Sequence, residues 1–123
     1  MAPKSDSPLG NGCSLARIAL NGSITLAISG EIDIANAKAF TDEVHSLVED
    51  AEGQVALDLE NCGFIDSTGI RALVALAQEQ EARGRKLKLS GVTGEPQRVL
   101  KLSGLLESEL FAGSNGDQRR QAA

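Results

Sequence analysis

A chain of 123 residues, 41% of them apolar, has material for one domain around a single core and none for a second. Tyr and Trp are absent, only Phe40, Phe64 and Phe111 are aromatic, and the net charge is −5. That argues against nucleic-acid and sugar recognition, which rely on aromatic platforms or basic clusters.

Residues 1–13, rich in Pro, Ser, Gly and Asn, read as a flexible arm, and 14–112 as the domain. Ser14 to Leu20 alternates as a strand, and Asn21-Gly22 supplies a two-residue hairpin signal. Ile24 to Ile28 returns antiparallel to it. Gly30-Glu31-Ile32-Asp33 ends that strand and leads into a helix with a stripe of Phe40, Val44, Leu47 and Val48. Lys38, Asp42, Glu43 and His45 fall on its other side. Gly53 breaks this helix, and Val55 to Leu59 is a third strand.

A second helix is expected from Ser67 to Arg83, with Ile70, Leu73, Val74 and Ala77 inward and Gly84 ending it. Arg85 to Ser90 is a fourth strand whose Lys86 and Lys88 face water. Pro96 opens a short third helix carrying Val99, Leu100 and Leu102, ended by Gly104. Leu110-Phe111 adds a last short strand, and residues 113–123 form a disordered tail without periodicity.

This order implies an α/β fold with a mixed sheet: an antiparallel N-terminal hairpin, then parallel strands joined by right-handed crossovers. Function gathers where the strands' carboxyl ends meet. Glu31 and Asp33 follow one strand and Asp66 to Gly69 another, so they converge on one rim.

Phe64-Ile65-Asp66-Ser67-Thr68-Gly69-Ile70 is the most purposeful stretch. The hydroxyls of Ser67 and Thr68 lie where a helix begins, beside unpaired amides that favour a phosphate. Plain helix capping accounts for the same residues. Gly69 allows a close backbone approach. Arg71, Ala72, Ala75 and Gln78 lie off the apolar stripe, as a partner surface or a solvated side.

Glu31, Asp33, Asp58 and Asp66 invite a magnesium or general-acid reading, but no P-loop, histidine or nucleophile–base pair accompanies them. Cys13, Cys62 and the single His45 make no spaced metal motif. No catalytic residue, metal or cofactor is expected. The thiols read as reduced, and no apolar run resembles a signal peptide or a membrane span, so the reading is cytoplasmic.

Gly30-Glu31-Ile32-Asp33, Asp66-Ser67-Thr68-Gly69 and Leu102-Ser103-Gly104-Leu105 appear in the order found in STAS domains. From about Ser14 to Phe111 the chain resembles the bacterial anti-sigma factor antagonists, non-enzymatic regulators with helices packed mainly on one face of the sheet. The resemblance implies partner switching. Ser67 maps onto the phosphoacceptor, with Thr68 the alternative. Asp33 maps onto the acidic residue that supports kinase recognition, and Asp66, Thr68, Gly69, Arg71 and Ala72 complete the expected recognition surface.

The implied partners are an anti-sigma factor with serine kinase activity and a PP2C-type serine phosphatase. The unphosphorylated form would bind the anti-sigma factor and free a sigma factor. Many such proteins end in a further helix, which residues 113–123 do not suggest. The alternative is a STAS scaffold or regulatory subunit of a lipid or anion transport system. A nucleotide-hydrolysing enzyme is disfavoured, because no phosphate-cradling glycine loop is evident.

Overall fold

The Asn21-Gly22 pair makes the first turn of the fold. In a computed structural model, which describes residues 6–8 and 12–112, the two have φ of 53° and 84°. This is the primed turn geometry, whose twist matches that of the strands it joins. It returns strand β2 (Cys13–Leu20) antiparallel onto β3 (Ser23–Ile32), from Leu20 opposite Ser23 to Cys13 opposite Gly30. Strand β1 (Asp6–Pro8) pairs antiparallel with β2. The expected arm therefore includes strand residues at 6–8 and at Cys13. Residues 1–5 and 9–11 of that arm, and the expected tail at 113–123, lie outside the described residues.

Helix α1 (Ala37–Val48) buries Ala37, Phe40, Val44, Leu47 and Val48 along the expected stripe. Strand β4 (Val55–Ile65), helix α2 (Ser67–Ala82), strand β5 (Leu87–Ser90), helix α3 (Gly94–Leu102), a 3-10 turn (Leu105–Glu107) and strand β6 (Phe111–Ala112) follow. The strands lie side by side in chain order, and β3 to β6 run parallel. Because that order never reverses, right-handed crossovers carry α1, α2 and α3 over the same face. On the covered face Leu15, Leu26, Ile28, Leu57, Leu59, Leu87 and Leu89 are buried. Thr25, Ala27, Asp58 and Lys88, facing the other way, are only half-buried.

Helix α3 begins at Gly94, two residues before Pro96, and three further details depart from the sequence expectation. The apolar run of β4 stops at Leu59, yet pairing with β3 continues to Ile65 through register shifts between Ala27 and Ser29 and between Gly30 and Glu31. Strand β5 starts at Leu87, because Arg85 and Lys86 bond elsewhere: Arg85 to Gln80, Ala51 and Gly53, and Lys86 Nζ to the Glu109 carbonyl. The buried stripe of α2 is Gly69, Leu73, Leu76, Ala77 and Gln80, while Ile70 and Val74 sit half-buried on its flank.

Gly69 explains that rotation. A Cβ there would lie 2.6 Å from the Ile32 carbonyl oxygen and 2.9 Å from Ile65 Cγ2. The first turn of α2 therefore approaches β3 on its glycine side. At the other end of α2, the buried Gln80 Oε1 accepts from Arg85 Nε at 2.6 Å. Arg85 Nη1 also donates to the carbonyls of Ala51 and Gly53, at 3.0 and 3.2 Å. A polar side chain is thus buried with its partner. Arg17 closes the end of α1 similarly, donating from Nε to the Leu47 carbonyl at 3.0 Å and pairing with Asp50 at 3.3 Å.

Cys13 and Cys62 are both buried and both register opposite Gly30, on β2 and β4 respectively. Two strand spacings put their Cα atoms roughly 9–10 Å apart, beyond the reach of a disulfide without backbone movement. Burial, with smaller contributions from Cys62 and Asp33, pushes the Cys13 thiol up to about 11. Burial also raises Cys62, partly opposed by a hydrogen bond to the Phe64 carbonyl.

Gly69→Ala is expected to destabilise the fold by about 1–3 kcal/mol in urea unfolding, because the clash outweighs the roughly 1 kcal/mol helix preference of Ala. At about pH 8 both thiols stay protonated and unreactive towards a colorimetric thiol reagent until the chain unfolds. Because the folded pKa of Cys13 is raised, its contribution to stability is complete below pH 9.0 and is lost as pH rises through about 11.

Candidate functional site

Ile32 and Ile65 register opposite each other at the ends of β3 and β4. The chain therefore leaves both strands at one rim, with Asp33 and Asp66 as the next residues. Asp66 has extended backbone (φ −98°, ψ −174°) and caps α2, its Oδ1 accepting from Gly69 N at 2.9 Å. Its Oδ2 accepts from Ile34 N at 3.1 Å, and its own N–H donates to the Ile32 carbonyl at 3.2 Å. One carboxylate thus ties the helix start to the loop after β3.

That loop is closed from within as well. Asp33 Oδ1 accepts from Ala35 N at 3.0 Å, and the Asp33 carbonyl accepts from Asn36 N and Ala37 N at 3.1 and 2.8 Å. Asn36 is fully buried at 0% exposure; its Oδ1 accepts from Asp33 N at 3.0 Å and its Nδ2 donates to the Glu31 carbonyl at 2.9 Å. Sequence reasoning passed over Asn36. The signal was an Asx-type turn, Asp33 followed three residues later by Asn36, just before an apolar helix.

Ser67 is the first residue of α2 and is exposed. Thr68 is half-buried, its Oγ1 accepting weakly from Arg71 Nη2 at 3.5 Å. Gly69 is buried against Ile32. Asp33, Asp66, Ser67, Thr68 and Gly69 therefore come together at the rim. Arg71 is exposed about one turn along α2, with Ala75 and Gln78 exposed beyond it, whereas Ala72 is half-buried against the core. Within the expected partner surface, Asp33, Asp66 and Thr68 are half-buried as Ala72 is, and Arg71 is the exposed member.

The carboxylates that invited a metal reading are not gathered in one place. Glu31 is exposed on β3 opposite Phe64, while Asp58 accepts from Glu60 N at 3.0 Å, far back along β4. Among the described residues no group of three or more His, Cys, Asp or Glu is placed to hold a metal ion, and no helix is long and apolar enough to cross a membrane. His45 lies on the exposed side of α1 and bonds Glu79 of α2 through Nε2. The sequence reading also missed Ile34, which stands 79% exposed on the rim loop.

The STAS domain family model matches residues 16–117. BtrV of Bordetella bronchiseptica, named as an anti-sigma factor antagonist, is 26% identical over 104 residues, covering 85% of this chain and 88% of that protein. Other similar proteins are antagonists of anti-sigma-F and anti-sigma-B factors. Among solved structures, an anti-sigma factor antagonist from Mycobacterium paratuberculosis superposes with a TM-score of 0.70 at 22% identity, over 86% of this chain and 87% of that one. A sulfate transporter family protein from Wolinella succinogenes superposes with a TM-score of 0.62 at 27% identity, over 73% of each chain. With this sheet order, this rim and a family match over most of its length, the chain belongs to the STAS domain family.

Proposed function

We propose that this protein is an anti-sigma factor antagonist that acts in the cytoplasm, without catalytic activity of its own, and is switched off by phosphorylation of Ser67. The observation that carries this reading is the exposed hydroxyl of Ser67 on the Asp66-capped first turn of α2, in a chain whose relatives include named antagonists. The unphosphorylated rim binds an anti-sigma factor that is also a serine kinase, and a sigma factor is released. A PP2C-type phosphatase restores the binding form. Asp33, Asp66, Thr68, Gly69, Arg71 and Ala72 form the recognition surface, with Asp33 supporting kinase recognition and Ala72 acting through the position of α2.

The physics of the switch is local. Phosphate adds about −1.5 to −2 charges to a rim that already holds Asp33 and Asp66. The free amides at the start of α2 offset part of that repulsion, so the fold persists. A partner covering Ser67 must then desolvate a dianion. A hundredfold loss of affinity needs only about 2.7 kcal/mol, within the range of one unpaired interfacial charge.

The similarity to a sulfate transporter family protein favours a second reading, a STAS regulatory subunit of a lipid or anion transport system. Co-purification with a transporter and no binding to any anti-sigma factor would select it.

Incubation with ATP and each serine-kinase anti-sigma factor of the source organism, followed by mass spectrometry, is expected to place phosphate on Ser67. Phosphate that persists on Ser67→Ala would move the acceptor to Thr68 or elsewhere. Ser67→Asp is expected to weaken anti-sigma factor binding by about a hundredfold while the thermal unfolding midpoint stays nearly constant. A variant that unfolds instead would show that the residue acts through the core.

A further inference from the structure

We propose that Ile34 is the apolar anchor of the docking rim, received by an apolar pocket on the anti-sigma factor beside the place where Ser67 is covered. The inference rests on the proposed role and adds the residue that supplies affinity and partner choice. The large apolar side chains left exposed among the described residues are Ile18, Leu20, Ile34, Phe64 and Leu102, and Ile34 is the most exposed of them at 79%. Ile18 and Leu20 lie towards the Asn21-Gly22 turn, at the opposite end of the strands from the rim.

Ile34 is not exposed by looseness. Its N–H is held by Asp66 Oδ2, and the N–H groups of Asp33, Ala35, Asn36 and Ala37 on either side are all bonded within the loop. A β-branched side chain on such a frame has little freedom left to lose on binding, so its burial yields affinity at small ordering cost. The adjacent charges suit an apolar partner pocket too. Both carboxylate oxygens of Asp66 and Oδ1 of Asp33 already accept backbone N–H groups. Those bonds offset part of what covering the two carboxylates costs.

The same placement links affinity to the switch. Ser67 adjoins Asp66, whose carboxylate touches the Ile34 amide, so a phosphate on Ser67 arrives next to the pocket that takes Ile34. An apolar pocket is the environment least able to solvate it.

The test is isothermal titration calorimetry of the full chain with each purified anti-sigma factor of the source organism, comparing wild type, Ile34→Ala, Ile34→Val and Leu20→Ala. Ile34→Ala is expected to bind about tenfold more weakly or worse, with an unchanged unfolding midpoint. Ile34→Val, which loses one methylene, is expected to bind only a few-fold more weakly, between wild type and Ile34→Ala, and Leu20→Ala, at the far end of the sheet, is expected to bind like wild type. Wild type that binds while Ile34→Ala binds equally well overturns the anchor and leaves the antagonist role standing. Equal losses for Ile34→Ala and Leu20→Ala also overturn it, because the contact would then lack a fixed site. Wild type that binds none of the anti-sigma factors overturns both readings.

Discussion

The rim depends on a single carboxylate with two obligations. Asp66 accepts from the Gly69 amide with one oxygen and from the Ile34 amide with the other. The first bond starts α2 where it does; the second fixes the loop that leaves β3. Hydrogen bonds to a carboxylate are among the stronger local restraints. Ser67 and Ile34 are far apart in the chain, and that acceptor is what joins them into one surface.

The carboxylate can only do this because β3 and β4 end together. The register shifts within that pair absorb the extra residues of β4, so that Ile65 finishes opposite Ile32. Gly69 then lets the helix start press on the Ile32 carbonyl, closer than any side chain would permit. Backbone pairing, a glycine contact and a cap thus act in series. The core beneath, from Leu57 and Leu59 to Leu73 and Ala77, is buried and gives the rim a rigid base.

Much of this was legible in the sequence, and for identifiable reasons. The Asn21-Gly22 turn, the α1 stripe and the Gly84 stop of α2 obey local rules of backbone conformation and period, and the structure follows them. The convergence of Asp33 with Asp66 also followed from element order. What escaped was long-range. The polar second half of β4 carries no apolar alternation, so its pairing to Ile65 is set by β3 rather than by its own residues. Val74 and Ile70 looked like core, but the close approach at Gly69 turns α2 so that Leu76 and Gln80 face inward instead. Buried Asn36 and protruding Ile34 are both reversals of ordinary polarity, and only the folded loop explains them.

The strand order has one more consequence. In open α/β sheets that change direction midway, loops on either side of the reversal diverge and leave a crevice that encloses a small molecule. Here every strand is laid down beside its predecessor in a single direction. The loops above the carboxyl edge consequently lean the same way, and the topology builds a platform where another sheet would build a cleft. Selection acting on such a platform has breadth and contour to work with instead of depth, which is raw material for telling one macromolecule from another.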